Sequence, residues 1–136
     1  MGIDYNLYPA RLVNGKPEIL YDVLDVNSFR HDFFFEVFMN KNMIQQINKA
    51  VGFNINTDFY TKVNDADFGG LNNNKNYYAD PTEILKTLAS IKEIFKDNPK
   101  EFLNISIKSA NCFIKEMIRV CKYAIKNKLV VKGVIG

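Results

Sequence analysis

The stretch 107–128, IKSANCFIKEMIRVCKYAIKNK, is the longest clean helical pattern in the chain and the one most sharply divided into two faces. Wrapped at 3.6 residues per turn, one broad face collects apolar side chains. These are Ile107, Ala110, Phe113, Ile114, Met117, Cys121, Ala124 and Ile125. The pattern therefore predicts a long amphipathic helix whose apolar face packs at the centre of the core.

The opposite face of this helix is basic. Its five cations, here called the basic stripe, are Lys108, Lys115, Arg119, Lys122 and Lys126. Each lies close to a whole number of turns from Lys108, so all five share a narrow arc. One interpretation is a contact surface for phosphates or for an acidic protein. The other is an ordinary solvated face, since lysine is a good helix former and late cations suit the end of a helix.

Length and composition predict one packed domain. The chain has 136 residues, 47% of them hydrophobic and 13% aromatic, which supplies ample material for a core. No apolar run reaches the roughly 18 residues of a membrane span, and the first residues do not resemble a signal peptide. We expect a single globular α+β domain over residues 1–136, located in a cytoplasm and without a membrane partner.

Charge is unevenly distributed along the chain, whose net charge is +3. Residues 1–80 hold ten acidic and seven basic side chains, net −3, whereas residues 81–136 hold five acidic and eleven basic, net +6. The molecule is therefore expected to be a charge dipole.

The two cysteines fit a reduced protein. Cys112 and Cys121 are nine residues apart on the predicted helix, which directs them to different sides and prevents a disulfide between them. A zinc site is also not expected, because His31 is the only histidine and no second cysteine pair exists.

The N-terminal region carries strand and turn signals. Ile3, Tyr5 and Leu7 alternate with polar residues, and Pro9 is expected to end or bend this strand. Asn14-Gly15, flanked by residues typical of strands, predicts a β-hairpin because both residues tolerate positive φ.

The middle of the chain is predicted less sharply. After a cap at Asn27 or Ser28, the expected elements are a helix over Phe29–Phe38, a helix over Asn42–Val51, a strand over Ile55–Val63 and a packed loop over Asn64–Ala79. The aromatic cluster in the first of these helices, which includes Phe33, is expected to pack in the interior.

Asp80-Pro81-Thr82-Glu83 predicts a helix start, because it combines a capping residue, a proline at the first helical position and a glutamate that can reach back. Its apolar stripe is Ile84, Leu85, Leu88, Ile91, Ile94 and Phe95. This helix is expected to stop near Asp97, where Asn98-Pro99 begins another. The following helix either runs unbroken into the 107–128 stretch or breaks near Asn104–Ser106.

The segments Leu129–Val131 and Val134–Ile135 predict a closing strand. The expected architecture is α+β: a small, mostly antiparallel sheet made of the N-terminal hairpin, a middle strand and the C-terminal strand, packed against helices. A C-terminal helical pair is expected to be the main core element.

Catalytic patterns are weak. His31 stands beside Asp32 at a predicted helix start, which favours solvent exposure over a nucleophile–base pair. Asp65 and Asp67, followed by Gly69-Gly70, lack the further oxygen ligands of a calcium loop. No glycine-rich phosphate loop occurs. We therefore expect a protein that is not an enzyme and has no cofactor, catalytic residue or metal site.

The first functional hypothesis is a small protein-binding module that acts by covering a partner's surface, as inhibitors and immunity or anti-defence proteins do. Its expected contact residues are Tyr60, Asp65, Asp67, Phe68, Tyr77 and Tyr78. Tyrosine is frequent at such interfaces, although the same side chains could instead form a lid on the domain's own core. The predicted partner class is a nucleic-acid enzyme. A nuclease inhibitor of a phage or mobile element fits this description.

Acidic side chains would mimic phosphates toward the basic cleft of such an enzyme. Those proposed for this role are Asp58, Asp65, Asp67 and Asp80.

The alternative hypothesis is a nucleic-acid-binding protein that uses the basic stripe. The two hypotheses predict different salt dependence, because phosphate contacts weaken steeply as salt rises. Neither hypothesis specifies an oligomeric state.

Overall fold

A computed structural model of the protein describes residues 4–30, 33, 78–97 and 106–135. These residues form an antiparallel sheet of four strands and two long helices, which confirms the predicted α+β fold. The elements are β1 (Asp4–Val13), β2 (Lys16–Ile19), β3 (Phe29–Arg30), α1 (Pro81–Asp97), α2 (Ile107–Lys126) and β4 (Val130–Ile135).

Strand β1 is the centre of the sheet. Along one edge it pairs with β4, in a register that runs from Tyr5 opposite Ile135 to Ala10 opposite Val130. Along its other edge, β3 pairs at one end and β2 at the other. The outer edge of β4 carries an antiparallel bridge to Ala79, so the chain just before α1 also joins the sheet.

The predicted hairpin at Asn14-Gly15 is confirmed. It joins β1 to β2, with Val13 opposite Lys16, and both turn residues have positive φ, 53° at Asn14 and 78° at Gly15. Asparagine and glycine tolerate this left-handed region, which matches the right-handed twist of the flanking strands.

Pro9 does not end the first strand, contrary to the expectation, because β1 continues through it to Val13. The carbonyl of Pro9 accepts a hydrogen bond from the Leu20 amide at 3.0 Å, just beyond the end of β2. Its partner across the sheet, Val131, directs its own amide and carbonyl to Ala79. Because the N–H and C=O of a strand residue point to the same side, the missing N–H of Pro9 would face the Leu20 carbonyl, just beyond the end of β2. The pairing of β1 with β4 therefore loses no hydrogen bond at Pro9, and the lost one falls at the end of the β1–β2 ladder.

Helix α1 begins and ends where the sequence predicts. A carboxylate oxygen of Asp80 accepts a hydrogen bond from the Thr82 amide at 2.9 Å, which caps the helix directly before Pro81. Ile84, Leu88 and Ile91 of its apolar stripe are completely buried.

Helix α2 begins at Ile107, the position that a break near Asn104–Ser106 predicts. The Ser106 hydroxyl accepts a hydrogen bond from the Ser109 amide at 3.1 Å and caps the first turn. Helix α2 packs on β1 and β4, and α1 packs on α2. Its apolar face lies in the core, as predicted, through Phe113, Ile114 and Met117.

The prediction for the apolar face is wrong at one residue. Ile125 is 41% exposed, and Val120, which the prediction left out, is fully buried. On the helical wheel Val120 lies between Phe113 and Glu116, which are both buried, whereas Ile125 lies at the opposite margin of the buried arc in the last turn.

The end of α2 closes with a Schellman arrangement. The Leu129 amide donates to the Ala124 carbonyl at 2.7 Å, and the Lys128 amide donates to the Ile125 carbonyl at 3.2 Å. Lys128 takes the left-handed position, with φ of 55°, where glycine is usual. The chain then enters β4, which confirms the predicted closing strand.

The expected helix start at Phe29 is wrong, because Phe29–Arg30 form β3. Phe33, the one described residue in the rest of that predicted helix, is helical. The ring of Phe29 packs edge-on against Phe113, with centroids 5.2 Å apart. This contact with α2 and the pairing with β1 hold the segment extended. The other predicted elements of the middle region, over 34–77, lie outside the described residues.

No helix among the described residues has the length and apolar character needed to cross a membrane.

Candidate polyanion-binding face

The basic stripe lies on the outer face of α2. All five of its residues are exposed, and they point away from the buried side that meets the sheet. With a rise of 1.5 Å per residue, the stripe extends about 27 Å from Lys108 to Lys126. The arc expected from the helical period is therefore a real surface feature, and the helix that carries it is fixed to the core along its whole length.

The only acidic residue of α2 is Glu116, and it is 7% exposed. Arg119 holds it with two hydrogen bonds: Nε donates to Oε1 at 2.8 Å and Nη2 donates to Oε2 at 3.1 Å. The outer face of α2 therefore presents no exposed carboxylate of its own.

The same two side chains bind the segment that follows the hairpin. The Asn27 amide donates to Oε2 of Glu116, and Nη2 of Arg119 donates to the Asp25 carbonyl. We call this group the Glu116 clamp. It joins residues almost ninety positions apart, which no local sequence signal could have indicated. The hydrogen bond to Glu116 raises the pKa of Arg119 further above its usual range, so its charge is permanent.

Arg119 therefore differs from the four lysines of the stripe. Its guanidinium is occupied by contacts inside the protein. Lys108, Lys115, Lys122 and Lys126 make no ion pair with any residue in the described part of the chain. Four ammonium groups are thus available to a ligand from outside.

Lys126 suits the negative end of the helix dipole, whereas the positions of Lys108 and of two like-charge pairs do not favour helix stability. Lys108 lies in the first turn of α2, where the helix dipole disfavours a cation and where no acidic residue compensates. Lys115 with Arg119, and Lys122 with Lys126, are like charges four residues apart, each pair costing about 0.2–0.5 kcal/mol. The solvated-face interpretation explains exposed lysines, but it does not explain these placements.

Lys128 adds a sixth cation just beyond the helix, outside the set that the helical period alone places in the stripe. It is exposed and occupies the left-handed position of the helix end. A residue other than glycine costs about 1–2 kcal/mol in that conformation. Because no glycine stands at this position, no residue type in the sequence indicated that the helix would end with such a turn.

The contact residues of the protein-binding hypothesis are described only in part. Tyr60, Asp65, Asp67, Phe68 and Tyr77 lie outside the described residues, as does Asp58 among the proposed phosphate mimics. Tyr78 is 38% exposed and stands beside the Ala79 bridge. Asp80 is exposed, with one carboxylate oxygen engaged in capping α1.

A second exposed surface lies at the hairpin end of the sheet. Here called the hairpin surface, it consists of Leu12, Tyr21 and Val23, and Tyr21 is the most exposed of them at 62%. Val13 is also exposed, but it follows Leu12 on β1 and so lies on the opposite face of the sheet. The Tyr21 ring packs edge-on against Tyr8 at a centroid distance of 5.0 Å, which supports it from beneath. Asp22, between two of these apolar side chains, is also exposed.

The cysteines have the different environments that the helix pattern predicts. Cys112 is exposed, Cys121 is buried, and both are free thiols. Burial raises the pKa of Cys121 to about 12, and the nearby charge of Asp80 acts in the same direction. Within the described residues no group of three or more potential metal ligands is close enough to hold an ion.

Comparisons of the chain with protein-family models, with curated proteins and with solved structures gave no match.

Proposed function

We propose that this chain is a nucleic-acid-binding protein whose contact surface is the outer face of α2. The observation that carries the proposal is the row of four exposed lysines without a described ion pair, on a helix whose single carboxylate is buried and held by Arg119. Such a row produces a continuous positive potential along about 27 Å. Phosphates are the anions that nucleic acids present at regular spacing, and lysine contacts them as a point charge.

The placement of the cations supports the same function. Lys108 opposes the helix dipole, two pairs of like charges repel each other, and Lys128 occupies a conformation that favours glycine. Each of these features costs some folding stability. A phosphate ligand would offset the electrostatic part of these costs, because it neutralises the repulsion and releases its own counterions.

A titration of fluorescent nucleic acid tests the proposal. We expect a duplex of about 20 base pairs to bind at about 50 mM salt, and the variant Lys115→Gln/Lys122→Gln to bind roughly 25- to 100-fold more weakly, because each lysine on a phosphate contributes about five- to tenfold. The variant keeps the core intact, since both lysines are exposed. Circular dichroism should show an unchanged fold.

The matched control is Lys16→Gln/Lys92→Gln. It removes the same total charge from exposed positions on β2 and α1, away from α2. Affinity in this variant should remain within about threefold of the unaltered protein, because a change in net charge alone is a screened, long-range effect. Equal reductions of affinity in the two variants, or no binding of duplex or single strand at low salt, would refute the proposal.

A second candidate function is the protein-binding module, acting through the hairpin surface with Tyr78 as a further contact. The specific observation is that Tyr21 exposes most of its ring while Tyr8 supports it, the geometry of a rigid aromatic anchor. Exposed carboxylates at Asp22 and Asp25 would suit a partner with basic groups around an apolar patch, such as the nucleic-acid site of an enzyme.

A photocrosslinking residue at position 21 tests this candidate, with the same residue at position 92 as a control on an exposed part of α1. Support requires a protein crosslinked at position 21 only, which then binds in purified form and loses affinity at least tenfold with Tyr21→Ser. Crosslinking at both positions, or an unchanged affinity in the serine variant, would contradict it.

A further inference from the structure

We infer that the ligand of the α2 face is double-stranded nucleic acid, bound along its phosphate backbone without regard to sequence. The inference rests on the proposed function and specifies its substrate class. Three observations carry it: the chemistry of the groups that remain free on the stripe, the side chains that α2 does not expose, and the rigidity of the row.

The free groups of the stripe cannot distinguish bases. Arginine is the side chain of this set that could read guanine with two parallel hydrogen bonds. Arg119 uses its Nε and Nη2 atoms for Glu116 and for the Asp25 carbonyl. Arg119 therefore cannot offer that pair, and the groups left for a ligand are its Nη1 and the four ammonium ions, which contact phosphates and set the position of the protein on the backbone.

Helix α2 offers no fully exposed aromatic platform for unstacked bases. Among its described side chains the exposed ones are Lys108, Asn111, Cys112, Lys115, Arg119, Lys122, Ile125 and Lys126, none of them aromatic, and its one tyrosine, Tyr123, is half-buried. Proteins that hold single strands generally stack the bases on aromatic rings, each stack contributing about 1–3 kcal/mol. A single strand would have to bind this face through phosphates alone, without that contribution.

The row of lysines is rigid and regularly spaced. Lys108, Lys115 and Lys122 are separated by seven residues each, about 10.5 Å along the axis. A duplex holds its phosphates in fixed rows, because it is stiff over about 150 base pairs. A single strand has to be ordered along the helix first, and this ordering lowers its affinity.

The expected result is a salt dependence with a defined slope. Four lysine–phosphate contacts give a slope of log K against log salt of about −3.6 on a duplex, and the variant Lys115→Gln/Lys122→Gln gives about −1.8. Between about 50 and 200 mM salt, duplex affinity should fall roughly 150-fold in the unaltered protein and roughly 12-fold in the variant.

The deciding experiment measures these slopes by fluorescence anisotropy for one duplex and for each of its two strands. It adds two competitors, a duplex of scrambled sequence and polyglutamate. The inference predicts that the duplex binds at least about fivefold more tightly than either strand, that the scrambled duplex competes equally, and that polyglutamate competes poorly because its charges are not in fixed rows.

Three outcomes overturn it. Equal or tighter binding of a single strand through the same lysines would refute duplex preference while leaving the proposed function standing. A strong preference among duplex sequences would refute the readout assigned to the four lysines. Polyglutamate that competes as well as the duplex would show that the face binds any polyanion.

Arg119→Lys separates the clamp from the ligand surface. The substitution keeps the charge but removes the paired hydrogen bonds to Glu116. Duplex slope and affinity should change by less than about threefold, while the free energy of unfolding decreases. A reduction of affinity as large as that of Lys115→Gln/Lys122→Gln would instead make Arg119 a phosphate contact and overturn its assigned role.

Discussion

The two faces of α2 differ in what determines their residues. The inner face packs Phe113, Ile114 and Met117 into the core, where each side chain is fixed by its neighbours. The outer face holds cations whose spacing the fold does not require and whose repulsion the helix tolerates. Burial in the core explains which residues form the inner face. Several cations of the outer face lower the stability of the helix, so their presence needs an explanation other than folding.

The largest expected effect is on the inner face. Ile114→Ala leaves a cavity in the core where a fully buried side chain is removed, and we expect the free energy of unfolding to fall by about 2–5 kcal/mol in urea denaturation. Asn111→Ala is the control, because Asn111 is exposed one turn earlier on the same helix. An effect on Ile114 no larger than that of this control would remove the distinction between the faces.

The Glu116 clamp lies between the inner and outer faces of α2. Glu116→Ala leaves the Arg119 charge and the Asn27 amide without their partner, and we expect the free energy of unfolding to fall by about 2–3 kcal/mol. Because Arg119 is 43% exposed, solvent limits the penalty. A double-mutant cycle with Arg119→Ala should give a coupling energy of about 1–2 kcal/mol. Strictly additive effects would mean that the pair is not a functional unit of the fold.

The pH dependence of stability distinguishes the buried cysteine of α2 from the exposed one. An unfolded thiol ionises above about pH 8.5, whereas burial holds Cys121 protonated to about pH 12. Between these values the folded state binds more protons, so the free energy of unfolding should fall by about 1.4 kcal/mol per pH unit from this group. Cys121→Ala should remove that part of the slope when denaturation is measured at pH 9.5 and 10.5, and Cys112→Ala should keep it. The same slope in both variants would contradict the assigned burial.

The smallest change in stability is expected at Lys128, just beyond the basic stripe, and it is an increase. Lys128→Gly relieves the left-handed conformation, so we expect the free energy of unfolding to rise by about 0.5–1 kcal/mol in thermal and urea denaturation. Lys126→Gly is the control, since glycine inside the last turn should destabilise by a similar amount. A destabilised Lys128→Gly would show that the lysine side chain itself supports the fold.

Much of the fold could be predicted from the sequence, because several signals are local. Asn14-Gly15 predicts the hairpin, and Asp80-Pro81 predicts the start of α1, since each short motif determines its own backbone conformation. The stripe is predictable for the same reason: an exposed arc depends only on the helical period.

The errors come from contacts between distant parts of the chain. Local spacing places Phe29 in a helix, but pairing with β1 and packing on Phe113 hold it in a strand. Proline chemistry alone ends β1 at Pro9, but the missing amide lies at the end of the β1–β2 ladder, so the pairing with β4 continues past it. The clamp between Glu116 and Asn27 likewise depends on the tertiary fold, so no pattern along the chain could indicate it.

The pairing of β1 with β4 also affects how the protein is made. Ala10 and Val130 are partners across 120 positions of the chain, whereas Val13 and Lys16 meet around a two-residue turn. On a ribosome that adds about 5–20 residues per second, the hairpin can form many seconds before its central strand acquires the neighbour on the other edge. Until then the hydrogen-bonding groups along that edge of β1 are open to pairing with other chains, so slow synthesis or crowding of nascent chains is where aggregation of this protein would begin.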